Sequence, residues 1–308
     1  MNLKNAFRPS LLLSQTHFQN RFKKGIIASA VERIADENFY KTIEIDIIYD
    51  HSDRKRIRNV VHSHNIVATQ WLTTILLNEN LNLSAVDESV RKKSVLRLTS
   101  FFDKACECGV KNIAVLSGAD PGPKLRKEAI ENLFVSLCEL LEVLSKNKGM
   151  QLLIEPLDRG AHKNFLIGPT DESISLLNRL LKVYKNIGIV WDSAHMALCG
   201  EDIENSFLKS SSYIKGIHLS NAILDKNHIK YGDYHMPIGG PGVLTIEKIS
   251  SLFSKAIEVG LFYKKKPDVA VEIQTQVGEN PWDTVAKCSK ILEEAWIKLN
   301  YLKEQNED

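Results

Sequence analysis

Leu152-Leu153-Ile154-Glu155-Pro156 is the stretch that decides the fold class. Three apolar residues in succession leave no polar face, so a strand built from them must be covered on both sides, as in a parallel sheet layered with helices. Val269-Ala270-Val271 repeats the pattern just before Glu272. Outward from these two runs, short β-rich segments alternate with longer amphipathic ones. The expected strands are Ser10–Ser14, Thr42–Ile48, Asn59–Val67, Asn112–Leu116, Gln151–Glu155, Ile187–Trp191, Tyr213–Leu219 and Asp268–Ile273. The expected helices are Lys24–Glu37, Glu88–Cys108, Lys124–Asn147, Thr170–Val183, Ile203–Leu208, Thr245–Val259 and Pro281–Glu304. This is the alternation of βα repeats. Its eight strands suit a closed (β/α)8 TIM barrel, a single domain over residues 1–308. An open doubly wound sheet is the alternative, but no Gly-x-Gly-x-x-Gly follows the first strand to support its dinucleotide version.

Several boundaries are marked. Gly109, Gly149 and Gly260 stand where helices should stop. Thr170, followed by Asp171 and Glu172, reads as a helix N-cap, and Pro281 as the opening of the last helix. The polar tail from about Lys303 is expected to fray.

Apolar residues make up 44% of the 308 and charged residues 25%, the balance of a soluble globular chain with a substantial core. Forty basic and 38 acidic side chains leave a net charge of +2, which offers no broad surface to nucleic acid or membrane. The basic run Asp53-Arg54-Lys55-Arg56-Ile57-Arg58 reads as a solvated helix face, with phosphate contact the alternative. With no secretory leader pattern and no long apolar stretch, a cytoplasmic location is expected. The five cysteines are odd in number and only Cys106 and Cys108 are close, so free thiols are expected.

The chemistry gathers at the strand ends. Glu155, Asp192, His218 and Glu272 each terminate or nearly terminate a different late strand. In a barrel those ends converge on one mouth. Three carboxylates and an imidazole held there repel one another unless a divalent cation compensates, and an O,O,N,O donor set suits Mn²⁺, Co²⁺, Mg²⁺ or Zn²⁺. His195, three residues after Asp192, returns to the same pocket if the chain turns into a helix. Asp233 and His235 have the spacing that puts both on one side of an extended segment, ahead of the glycine-rich run Pro237–Gly242, whose glycines would let backbone approach a ligand. His62 and His64 alternate in phase at the end of the expected third strand, with His62 turned inward to a cation or substrate. His17 after the first strand, His64 and Glu44 are candidate substrate contacts, with a plain loop residue the alternative for His17 and a core salt bridge the alternative for Glu44, whereas His51, His162 and His228 read as plain loop residues.

From about Lys24 to Thr284 the chain resembles the xylose-isomerase-like barrel superfamily, in particular its sugar phosphate isomerase/epimerase branch. The resemblance rests on Ile154-Glu155-Pro156-Leu157-Asp158-Arg159, Trp191-Asp192-Ser193-Ala194-His195, Gly216-Ile217-His218-Leu219-Ser220, Gly232-Asp233-Tyr234-His235 and Val271-Glu272-Ile273. It implies an eight-stranded barrel with one metal ion on Glu155, Asp192, His218 and Glu272, for which Mn²⁺ is the expected choice. It further implies that the two glutamates act as the acid/base pair and that His195 contacts a substrate oxygen. The chain is also similar to the endonuclease IV-like branch, in which three zinc ions serve phosphodiester hydrolysis. There His195, Asp233 and His235 would hold a further zinc, and His62 would be a ligand of the remaining one. Leu116-Ser117-Gly118 departs from that branch's histidine on the fourth strand, and Leu219–Leu224 lacks the arginine of the ketose 3-epimerases.

The leading expectation is a sugar or polyol isomerase or epimerase working through an enediolate, with one divalent ion per chain and no organic cofactor. Its substrate would be a small sugar, keto sugar or polyol, phosphorylated or not. An inosose dehydratase-like lyase would begin in the same way. The rivals are an endonuclease IV-like metal-dependent phosphoester hydrolase, although the basic, aromatic-bearing loops that duplex DNA requires are not evident, and a non-catalytic binding barrel. Such barrels commonly form homodimers, but no helix face announces an interface.

Overall fold

The computed structural model describes residues 2–146 and 149–305, with helix Pro281–Gln305 traced as backbone from residue 302 onward. Its strands are β1 (Arg8–Leu12), β2 (Thr42–Ile45), β3 (Val67–Trp71), β4 (Asn112–Val115), β5 (Gln151–Ile154), β6 (Ile187–Asp192), β7 (Ile214–Ser220), β8 (Ala222–Ile223), β9 (Gly232–Asp233) and β10 (Asp268–Glu272). Seven successive parallel strands, β1 to β7, and then β10 close a barrel in chain order, with β10 hydrogen-bonded to both β7 and β1. The chain is therefore a (β/α)8 TIM barrel. The antiparallel β8–β9 pair stands outside the barrel, just after β7.

Alternation along each strand sends one set of side chains outward to the helices and the other into the barrel. Leu152, Ile154, Ile189, Trp191, Ile217, Leu219, Val269 and Val271 belong to the large core shared with the helices. Inside, Trp71, Ala114, Leu153 and Val190 form a small plug of their own. Glu155, Asp192 and Glu272 have the same parity as Leu153, Val190 and Ala270, and so does His218, two residues beyond Gly216. The strand pattern that buries the barrel wall thus also aims these four inward.

At the floor, where the strands begin, polar groups are mutually satisfied. Arg8 Nε donates to Asp268 Oδ1 at 2.6 Å and Thr42 Oγ1 donates to the same oxygen at 2.7 Å. Closure is reinforced outside by aromatic packing: Phe7, just before β1, lies 4.9 Å from Phe262 and 5.3 Å from Phe253. Such ring pairs are worth about 0.5–1.5 kcal/mol each beyond their burial.

Most expected elements match within a few residues, but the third strand does not. Asn59–Val67 lies largely in helix His51–Ser63, capped by Asp50, which accepts from the Asp53 N–H at 3.1 Å. Ile57 and Val61, one helical turn apart, are its buried stripe. The true strand starts at Val67, after Asn65 reverses the chain at φ 53°. Within this helix Arg54 is buried and donates to Glu107, Ile48 O and Tyr49 O, whereas half-buried Arg56 pairs with Glu32 and only Lys55 and Arg58 are exposed, so the basic run is a solvated face in part only. The expected helix Glu88–Cys108 is two helices, Glu88–Thr99 and Phe102–Glu107. Thr170 is the first helical residue rather than the cap, and its hydroxyl bonds Glu201. The end of the tail expected to fray, residues 306–308, lies outside the described residues. Among the described residues no helix is long and apolar enough to cross a membrane, and all five cysteines are free.

Candidate metal centre and active site

The barrel opens at its C-terminal mouth into a cavity of 410 Å³. Leu12, Phe18, Trp71, Leu77, Leu116 and Phe165 are among its apolar lining, while Gln15, Glu155, His162, Lys163, His195, His218, His235 and Glu272 bring polar atoms to it. At its base Glu155, Asp192, His218 and Glu272, all buried, each offer one ligand atom within 4.8 Å of the others.

His218 is held from both sides. Its Nε2 faces Glu44 Oε2 at 3.1 Å, and Glu44 in turn accepts from the Ser10 hydroxyl at 2.7 Å and the Trp71 indole N–H at 2.7 Å. With Nε2–H donated to Glu44, Nδ1 points at Glu155 Oε1, 3.1 Å away, and Glu272 Oε2, 3.5 Å away. A carboxylate behind an imidazole fixes the tautomer and raises the basicity of the other nitrogen, as metal-ligating histidines need. Glu44 is thus beneath His218 and absent from the cavity lining, in the core ion pair that was the alternative to a substrate contact, and it positions His218.

Asp192 ends β6 and caps helix Ser193–Leu198: its Oδ1 accepts from Ala194 N at 2.7 Å and His195 N at 3.0 Å. Its Oδ2 is buried with no hydrogen-bond donor. A carboxylate oxygen in that position is costly unless a cation or proton meets it. Burial pushes the Asp192 carboxyl well above the usual carboxylate range, and the charges of Glu272, Glu155 and Asp233 add to it against the pull of His195. Burial would depress His218, but Glu44, Glu155 and Glu272 outweigh it and hold the imidazole well above its ordinary value. Burial would likewise raise Glu272, yet His235 and His218 beside it bring its carboxyl down to about 2. The donor set, the uncompensated oxygen and the surplus of carboxylates all fit a divalent cation.

The same helix turn delivers His195 to the cavity. Its Nδ1 donates to Asp158 Oδ2 at 3.2 Å, leaving Nε2 toward the cavity. Burial alone would lower it, but Asp192, Asp158, Asp233 and Glu155 raise it to about 10. Asp233 on β9 and His235 also arrive here, with His235 Nδ1 3.4 Å from both Asp233 Oδ1 and Glu272 Oε1. The glycine-rich run approaches Asn221 rather than a cavity ligand. Asn221 donates to Pro237 O and Gly239 O at 2.8 Å each and accepts from Leu244 N, and a Cβ at Gly242 would meet its amide at 2.2 Å.

Three expected site residues are elsewhere. His62 and His64 are exposed on helix His51–Ser63 and its C-cap, because the segment is helical, and His62 stands beside Gly109 ahead of β4. His17 is buried against Trp282, ring centroids 5.3 Å apart, and burial takes it down to about 4. The short helix after β1 instead turns Gln15 inward, where its amide donates to Glu272 Oε1 at 3.2 Å. Sequence reasoning also missed Asp158, His162 and Lys163, all in the long β5 loop. A loop of that length in a compact barrel is itself a functional signal.

Residues 30–261 match the family described as xylose isomerase-like TIM barrel. Among solved structures, a D-tagatose 3-epimerase-like protein is 18% identical with TM-score 0.68, over 96% of this chain and 98% of that one. D-psicose 3-epimerase with D-tagatose from Clostridium cellulolyticum H10 is 16% identical with TM-score 0.67, over 96% and 98%. An AP endonuclease, family 2, from Brucella melitensis is 16% identical with TM-score 0.63, over 90% and 96%. At such identities the likeness is one of fold. Comparison with curated proteins finds no match.

Proposed function

The chain belongs to the xylose isomerase-like TIM barrel family, and we propose that within it this protein is a divalent-cation-dependent isomerase or epimerase of a keto sugar or polyol. The observation that carries the reading is the buried quartet with the donorless Asp192 Oδ2 at its centre. Glu155, Asp192, His218 and Glu272 would hold the cation, with Mn²⁺ the leading choice. Bound there, the ion would draw electrons from a substrate carbonyl and adjacent hydroxyl and so acidify the neighbouring C–H.

This chain's own groups supply the rest. Glu155 and Glu272 both reach the cavity, one to take the proton and the other to return it to the enediolate carbon. Gln15 fixes one oxygen of Glu272, which directs the other toward the base of the site. His195, oriented by Asp158 through Nδ1, turns Nε2 to the cavity, where its protonated form would donate to the substrate oxygen on which charge develops. The apolar lining formed by Trp71, Leu116 and Phe165 excludes water from the carbanionic carbon. The arginine and the lysine that line the cavity are each committed to a buried acid, Arg21 to Asp46 at 2.9 Å and Lys163 to Asp233 at 3.2 Å, which favours an unphosphorylated substrate.

The hydrolytic rival has less to stand on. His62 is on the outer surface, and Ser117 at the end of β4 spends its hydroxyl on Gly118 O and Ile167 N. To test the reading, Mn²⁺-loaded protein is incubated in D₂O with keto sugars and inososes and followed by proton NMR. The expected outcome is deuterium entering beside the carbonyl, abolished by Glu155→Gln. Cleavage of a phosphodiester without any such exchange would overturn it, and loss of water from an inosose after exchange would move it to a lyase.

A further inference from the structure

Beyond His195 the mouth holds a second buried acid that the proposed proton transfers do not use. Asp233 is fully buried; its Oδ1 accepts from His235 N at 3.1 Å and faces Ser220 Oγ at 3.4 Å, while its Oδ2 accepts no hydrogen bond. His195 Nε2 lies 3.8 Å from Oδ2, and His235 Nδ1, also without a hydrogen-bond partner, lies 3.4 Å from Oδ1. A buried carboxylate between two imidazoles, each with a nitrogen turned toward it, has the donor chemistry of a second divalent site. The group that stands at Oδ2 is an ammonium: Lys163 Nζ, 3.2 Å away.

We propose that Lys163 is a built-in cation that takes the place of a second metal ion at Asp233. The backbone argues for design in its placement. Asp158 Oδ1 accepts the N–H groups of His162 at 2.6 Å and Lys163 at 2.9 Å, while its other oxygen holds His195. The left-handed Asn164, at φ 58°, and the Phe165 N–H bonded back to Asp158 O at 3.1 Å then close the turn. One carboxylate thus sets both the imidazole and the ammonium that neutralise Asp233. The ammonium also donates to Asp233 O at 3.4 Å, and His195 Nε2 stays uncoordinated and able to meet a substrate oxygen. The last point rests on the proposed isomerase reading; the replacement of a metal ion by Lys163 does not.

The test counts bound Mn²⁺ and, separately, Zn²⁺ by equilibrium dialysis and elemental analysis of the full chain. Wild type, Lys163→Ala, Lys163→Arg and the double variant Lys163→Ala/Asp233→Asn are compared, each first checked for native circular dichroism. Lys163→Ala is expected to bind one equivalent more than wild type, with Lys163→Arg unchanged and the added Asp233→Asn removing the extra ion. No increment in Lys163→Ala, or an increment indifferent to Asp233→Asn, would overturn the proposal. So would a wild type that already binds a second ion sensitive to Asp233→Asn. The baseline is read apart from the increment. A wild type that binds no ion would sink the metal-dependent isomerase, and the increment would still decide the role of Lys163.

Discussion

Strand β10 carries a buried carboxylate at each end, and the two live under opposite rules. At the floor Asp268 meets Arg8 and Thr42 within 2.7 Å, so its charge and both hydrogen bonds are settled inside the protein. At the mouth Glu272 shares His218 with Glu155 and His235 with Asp233, and Oδ2 of the neighbouring Asp192 finds no donor. Four residues separate an acid that completes a structure from one that belongs to an incomplete set. The difference teaches that burial of charge alone does not mark a site; burial without a matched partner does.

The sharpest way to break this contrast is activity. Glu272→Gln should lower turnover of any exchanged keto sugar by about 10³-fold, in the range for loss of a general acid or base. Asp268→Asn, which keeps the shape and an acceptor for Thr42, should leave turnover within about twofold. Comparable losses in both, measured by the same deuterium exchange, would erase the distinction between the two ends.

Stability should invert the order. Asp268→Ala strands the Thr42 hydroxyl and the Arg8 side chain and should cost about 2–3 kcal/mol in urea unfolding. Glu272→Gln in metal-free protein should cost less, about 1–2 kcal/mol, because the amide keeps an acceptor for Gln15 although it gives up the charge that His235 and His218 favour. A larger loss at Glu272 than at Asp268 would mean that the mouth is a structural ion-pair network.

The smallest effect is the pH dependence of Mn²⁺ uptake. Asp192 and His218 are both raised, so in metal-free protein they hold protons that a cation must displace. Affinity should therefore rise with pH and weaken as pH falls through those raised values, with protons released on binding. Calorimetry in buffers of different ionisation enthalpy reads the release directly. Uptake without proton release would mean that the quartet is already deprotonated and that the contrast with the floor is one of geometry only.

The late half of the barrel was legible because its strands are short, apolar on both faces and stopped by a charged residue, so parity alone aimed Glu155, Asp192, His218 and Glu272 together. The third strand was not. Val60-Val61 has β-branched character, while the real strand carries Thr69 and Gln70 and looks polar. The cue that could have corrected this was Asp50 as an N-cap three residues ahead of Asp53. His17 failed through register: a single helical turn after β1 exchanged it for Gln15. Lys163 and Asp158 could not be read from pattern, since their positions come from hydrogen bonds within an irregular loop.

Closure of the barrel also sets a schedule for the ribosome. β1 pairs with β10 across 260 residues, and Glu272 is on β10. At about 5–20 residues per second, translation of that interval takes on the order of tens of seconds. Until β10 emerges, even a nascent chain already past His218 has three of the four mouth residues at most and an unpaired β1 edge. If the quartet holds a cation as proposed, such a chain would offer it no enclosed seat, so ion choice would fall to the finished barrel in whichever pool it meets, and the exposed edge is a place where a chaperone would matter.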